Sequence, residues 1–187
     1  YYLSGTPTNL QNAVVKEREQ LADPDFLKSQ TTIKDSKLTH ELAETVAFTD
    51  TKEAKNVVKK FLTTSDELIF GDDYTYMSKW SNWTDEYPRI FAAQTYEGIP
   101  INDDSSLLTV NMTQDTQGYQ LLNYTQTHIS DLTPLREAMT LYTEEDAINT
   151  LYVNNKIPAK STIKWQQLTY TLTLKVRGQY VYVPAWF

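Results

Sequence analysis

Along residues 143–187 the spacing of apolar positions switches from a helical period to a strand period, and this switch organises the reading of the chain. Thr143, followed by Glu144, Glu145 and Asp146, reads as an N-cap with acidic residues where the helix dipole favours them. Ala147, Ile148, Leu151 and Tyr152 then share one helical face, and Asn154-Asn155 stops the helix. From Leu168 the period is two. Leu168, Tyr170, Leu172, Leu174 and Val176 are expected on one face, and Thr169, Thr171, Thr173, Lys175 and Arg177 on the other. Ile163 and Trp165 stand in the opposite phase, which predicts a bulge or a change of direction near Gln166-Gln167. Arg177-Gly178-Gln179 predicts a turn, and Tyr180 to Phe187 a returning strand that Pro184 confines to a sheet edge or to its end.

The earlier chain repeats this theme. Residues 1–7 are expected to be a disordered lead-in, since Gly5 and Pro7 interrupt any pattern. Thr8 opens a helix on which Leu10, Ala13, Val14 and Leu21 recur at helical spacing, with Gln11 at the capping-box position, and Asp23-Pro24 ends it. Residues 25–49 are polar, with short strands expected at Thr31-Ile33 and Glu44-Phe48. A second helix starts at Asp50, with Glu53 completing the box and Ala54, Val57, Val58, Phe61 and Leu62 on one stripe. Its lysines, Lys52, Lys55, Lys59 and Lys60, read as a solvated flank.

Strands follow at 68–70, 74–76, 90–96, 107–112 and 119–129. They are separated by Gly71-Asp72-Asp73, Glu97-Gly98-Ile99-Pro100, Asn102-Asp103-Asp104 and Gln117-Gly118, and residues 131–141 form a connector punctuated by Pro134. Helix followed by meander thus occurs twice. The expectation is an α+β fold of antiparallel β meanders, each preceded by a helix packed on one face. Three parts follow: a helix and membrane-proximal stalk at 1–49, a helix-plus-sheet subdomain at 50–141, and a helix-plus-hairpin subdomain at 142–187. A structural duplication of the last two is one reading, although their residue-level similarity is slight.

Composition narrows the chemistry. The 187 residues contain no cysteine, which removes disulfides, thiolate catalysis and thiolate metal sites together. A net charge of −7 leaves no basic stripe for nucleic acid or for an anionic membrane surface. The chain begins at Tyr1 and lacks a run of about 20 apolar residues, so an N-terminal membrane anchor is expected to lie outside it. His40 and His128 are the two histidines, in unlike contexts and without metal-ligand spacing. No GxSxG motif presents a nucleophilic serine, and the scattered glycines form no phosphate loop. The acidic pairs Asp72-Asp73, Asp85-Glu86 and Asp103-Asp104 sit beside turn residues and are expected to be solvated rather than paired for glycoside hydrolysis. No catalytic residue, cofactor or metal site is therefore nominated. The surface candidate is the aromatic group Tyr74, Tyr76, Trp80, Trp83 and Tyr87, which can cover a sheet face, anchor a protein interface or stack on sugars.

Three stretches resemble the YycI family of extracytoplasmic regulators of the WalK sensor kinase in low-GC Gram-positive bacteria. The first runs Phe91-Ala92-Ala93-Gln94-Thr95-Tyr96-Glu97-Gly98-Ile99-Pro100-Ile101, and the second is Asn123-Tyr124-Thr125-Gln126-Thr127. The third extends from Ala147-Ile148-Asn149-Thr150-Leu151-Tyr152 through Ile157-Pro158 to Tyr182-Val183-Pro184-Ala185-Trp186. These are packing and turn motifs, so they identify a family without identifying a site. The resemblance implies a single-pass membrane protein whose external domain, with a YycH-like partner, modulates WalK. It also implies that signalling runs largely through the transmembrane helices, with a direction of control that differs between species. The expected function is a non-enzymatic regulatory domain at the outer face of the cell membrane. The alternative is a cell-wall glycan or peptide binding module with Trp80 and Trp83 as stacking platforms.

Overall fold

The computed structural model describes residues 1–13, 31–34, 36–41, 47–48, 50, 52–53, 56, 70–83, 87–116, 118–136, 142–158 and 161–187. Its strands are β1 (Tyr2–Pro7), β2 (Thr31–Lys34), β3 (Lys37–Glu41), β4 (Ala47–Phe48), β5 (Tyr74–Tyr76) and β6 (Arg89–Tyr96). They continue as β7 (Ile99–Asn102), β8 (Leu107–Asp115), β9 (Gly118–Gln126), β10 (Ile129–Arg136), β11 (Leu168–Val176) and β12 (Gln179–Trp186), with helix α1 (Glu144–Val153) between β10 and β11.

The strands form one path, β10-β1-β12-β11-β7-β6-β8-β9-β3-β2, with β4 beside β9 and β5 beside β6. Pairing is antiparallel except where β11 meets β7, with Tyr170 opposite Ile101. That short parallel contact and the β6–β7 hairpin are the hinge of the path, and they divide it into two half-sheets. Each half-sheet has its own core. The first, on β6, β8, β9 and β3, buries Leu38, Ile90, Leu108, Val110, Met112, Leu121 and Tyr124. The second, on β1, β7, β10, β11 and β12, buries Leu3, Ile101, Ile129, Tyr170 and Tyr182.

This architecture overturns the α+β expectation. The fold is mostly β, in a single mixed sheet, and no helix packs on a face of each meander among the described residues. Helix α1 forms as its caps dictate, since the Asp146 N–H donates to Thr143 Oγ1 at 3.1 Å, yet it buries none of its residues. Its apolar positions, Ala147, Ile148, Leu151 and Tyr152, are exposed or half-buried and join neither core. Asp50 also caps as expected, accepting from the Glu53 N–H at 2.9 Å. Most of the further positions expected in that helix, and those expected in the first one beyond Ala13, lie outside the described residues. In the first helix the cap is Asn9, whose Oδ1 accepts from the Asn12 N–H at 3.1 Å.

The N-terminal lead-in is the second correction. Residues 2–7 form β1, seated between β10 and β12 with Leu3 opposite both Pro134 and Tyr182. Gly5 makes the seat possible, because a Cβ there would lie 2.3 Å from Ile129 Cγ2. The connector at 131–141 is likewise strand β10 as far as Arg136.

The third correction concerns phase. A bulge lies at Thr173, because Leu172 opposes Tyr182 while Leu174 opposes Val181, whereas Gln166-Gln167, where the sequence predicts a bulge or a change of direction, precedes the first residue of β11. Directly opposed residues share a face. The extra residue therefore sends Leu174 and Val176 to the face opposite Leu172 and Tyr182, and both are about half exposed. Lys175, itself exposed, takes the face of Leu172 and Tyr182 instead, placing Nζ 4.4 Å from the ring centre of its partner Tyr180. The turn itself is as the sequence predicts: Arg177 and Gly178 both adopt positive φ, the requirement of a two-residue primed turn. Pro184 lies past the last β12 residue that β1 covers, which is Tyr182, in keeping with an edge position.

Candidate functional site

The two half-sheets meet where β9 turns into β10, and His128 occupies that corner. The chain reaches it because Gln126 ends β9 as a core residue and Ile129 begins the other core, leaving Thr127-His128 to bridge them. Three elements converge on the imidazole. Thr8, just past β1, places Oγ1 2.6 Å from Nδ1, and Ser130 Oγ lies against the same hydroxyl. Asp73, in the turn before β5, places Oδ2 2.8 Å from Nε2. The Phe70 ring stacks on the imidazole, with centroids 4.3 Å apart.

The donors follow from charge. An ionised Asp73 accepts from Nε2–H, which leaves Nδ1 to accept from the Thr8 hydroxyl, whose oxygen in turn accepts from Ser130. Gln94 completes the corner by clamping the Ile129 backbone, with Nε2 donating to the carbonyl at 2.7 Å and Oε1 accepting from the N–H at 3.0 Å. Tyr74 adds a further tie, its hydroxyl donating to the Thr127 carbonyl at 2.6 Å.

Burial lowers the His128 pKa from its ordinary value, and the hydrogen bond and charge of Asp73 oppose that shift only in part. The neutral ring is thus the resting form. Burial raises the Tyr74 and Tyr182 hydroxyls, and the nearby carboxylates of Asp73 and Asp103 raise them further. Tyr182 donates to Asp103 Oδ2 at 3.2 Å.

A carboxylate, an imidazole and a hydroxyl in sequence have the composition of a hydrolytic triad, so access decides what they do. A cavity of about 620 Å³ opens beside the corner, lined by His128 together with Thr127, Ser105, Lys34 and Lys37, but not by Thr8 or Asp73. The hydroxyl is therefore not offered to a substrate in that cavity. The relay's evident work is to fix the ring tautomer and to tie β1 and the Asp73 turn to the β9–β10 corner.

The aromatic group does not assemble as one surface. Tyr74 is in the first core, and Tyr76 and Trp83 pack against it half-buried, Trp83 edge-on to Tyr119. Trp80 turns to the other half-sheet and meets Phe187 edge-on at 6.3 Å, with its indole N–H buried and without a hydrogen-bond partner among the described residues. Tyr87 alone is largely exposed, at 61%. His40 is fully buried at 0% exposure beside Tyr124, in the first half-sheet and apart from His128. Asp72 and Asp104 are solvated as expected, whereas Asp73 and Asp103 hold His128 and Tyr182, and Asp85-Glu86 lies outside the described residues. Sequence reasoning missed the corner because its partners, Thr8, Asp73, Gln94 and His128, are far apart in the chain. The signal it held was the polar pair Thr127-His128 standing just before Ile129.

Among the described residues no group of side chains is arranged to hold a metal ion, and no helix is long and apolar enough to cross a membrane. Comparison with curated proteins gives no match. The sequence does match the family model described as "YycI protein", and it does so over residues 1–187.

Proposed function

The chain belongs to the YycI family, which acts in regulation of the WalK two-component system, and from this premise we propose that it is a non-enzymatic regulatory domain. Its place is the outer face of the cell membrane, held there by an N-terminal transmembrane helix beyond this sequence, and its partners are a YycH-like protein and WalK. The observation that carries the reading is the family match along the whole chain. The corner at His128 supports it, because the Thr8 hydroxyl and the Asp73 carboxylate are held on the imidazole and do not line the cavity.

A domain of this kind changes kinase output only by binding one kinase state better than the other, directly or by positioning its anchor helix. The half-sheets suit contact rather than turnover. The tip of the β11–β12 ribbon presents Leu174 and Val176 to solvent, and Tyr87 and the rim of Trp80 offer aromatic surface on the other half-sheet. The test is kinase autophosphorylation in reconstituted membranes holding WalK, the YycH-like partner and this protein with its anchor. Deleting domain and anchor together changes the output if the reading holds, and unchanged output contradicts it.

A further inference from the structure

The face of the first half-sheet that turns away from its core carries an ordered polar row. Phe91 stands opposite Thr109, Thr109 opposite Thr125, Thr125 opposite Thr39, and Thr39 opposite Thr32, so the row crosses β6, β8, β9, β3 and β2. Its neighbours along each strand, Ile90, Leu108, Tyr124 and Leu38 among them, are buried on the other side. The five residues of the row are half-buried or exposed. Adjacent strands lie about 4.8 Å apart, so the row runs for roughly 19 Å, with one hydroxyl on each of β8, β9, β3 and β2. None of the four threonines makes a side-chain hydrogen bond among the described residues.

Cations flank the row at both ends. Lys34 and Lys37 face each other across β2 and β3 at one end, and Arg89 stands beside Phe91 at the other. The cavity of about 620 Å³ beside His128 and a second of about 460 Å³ share Lys37, Asp104 and Thr127, and together they extend from Lys34 to Arg89. Asp104 is the one carboxylate lining either cavity. Glu41, two residues past Thr39 on the same face, accepts from Asn123 Nδ2 at 3.3 Å. Three cations against these two anions still stand out in a chain of net charge −7, and none of the three has an ion-pair partner among the described residues.

We infer that this face binds an acidic saccharide chain, lying along the threonine row with a ring over Phe91 and its carboxylates at Lys34, Lys37 and Arg89. An extended peptide would seek an open strand edge for backbone pairing. Here β8, β9 and β3 are paired on both sides, so along them the face offers side chains rather than backbone, and its hydroxyls and amides are groups that exchange hydrogen bonds with sugar hydroxyls. Phe91 supplies an apolar platform, and the cations select for negative charge. The site is separate from Trp80 and Trp83, and it stands whether or not the kinase reading does.

The test is calorimetric titration of the folded protein with tetragalacturonate, with neutral cellotetraose and tetraglutamate at equal concentration as controls. Tetragalacturonate binds, more weakly as salt rises, and both controls bind at least tenfold less tightly. Lys34→Ala/Lys37→Ala weakens binding by about tenfold or more, as loss of charge-assisted hydrogen bonds predicts. Thr109→Val/Thr125→Val, which keeps β-branched side chains on the strands, weakens it about fivefold with an unchanged circular dichroism spectrum. Absence of binding, equal binding of tetraglutamate, or affinity indifferent to both double variants overturns the inference.

Discussion

The two half-sheets reach the same strand geometry by different means. The first is built from hairpins close in sequence, β6 to β9, and buries a broad core around Tyr124, Leu108 and Val110. The second is closed by the chain's first strand pairing with its last, and it rests on five buried residues around Tyr182. Burial of apolar area scales with the stability it contributes, so the first half is the scaffold and the second depends on the seat of β1 and on the His128 corner. The difference teaches where binding is placed. The well-supported half presents a flat polar face, and the lightly supported half presents the ribbon tip with Leu174 and Val176.

Cutting into the scaffold has the largest expected effect. Tyr124→Ala removes a fully buried ring from the first core and lowers unfolding free energy by about 4 kcal/mol, measured by urea denaturation. Gly5→Ala follows at about 2 kcal/mol, since the new methyl meets Ile129 and Leu132. Hydrogen exchange should place that loss in β1, β10 and β12 and leave β8 and β9 protected.

Acid tests the corner. The folded pKa of His128 lies below its unfolded value, so the unfolded chain takes up a proton first. The contribution is present in full above about pH 6.5 and is lost as pH falls from there toward the folded pKa. His128→Gln should flatten the slope of stability against pH in that window, and an unchanged slope would mean the ring is not held neutral. The smallest effects belong to the ribbon tip and Trp80. Leu174→Thr stays within about 0.5 kcal/mol of the parent, because the bulge at Thr173 leaves Leu174 outside the core. Trp80→Phe is also near neutral, since it removes a buried N–H that has no partner.

What could be read in the sequence was local. The cap at Thr143, the cap at Asp50, the turn at Arg177-Gly178 and most hairpin strands rest on neighbours within a few residues, and they appear as expected. What could not be read depends on distant pairing. Nothing in residues 2–7 announces that Leu3 will meet Tyr182, and a single bulge reverses the face of Leu174 and Val176 without changing the alternation. That no helix packs on a face of each meander among the described residues has the same origin, since it follows from strands joining into one sheet. The His128 corner was hidden because its partners are more than thirty positions away, as the separations of 34, 55 and 120 residues for Gln94, Asp73 and Thr8 show. The aromatic group dispersed because alternation on β5 and the turn after it sends its members to different neighbours.

The central claim is that this domain works by binding a partner, and titrating the purified domain against the external domain of its YycH-like partner tests it most directly. The account predicts a discrete complex of defined stoichiometry by calorimetry and light scattering, weakened by Leu174→Asp/Val176→Asp at the ribbon tip. Two folded proteins that show no association at high micromolar concentration would contradict it.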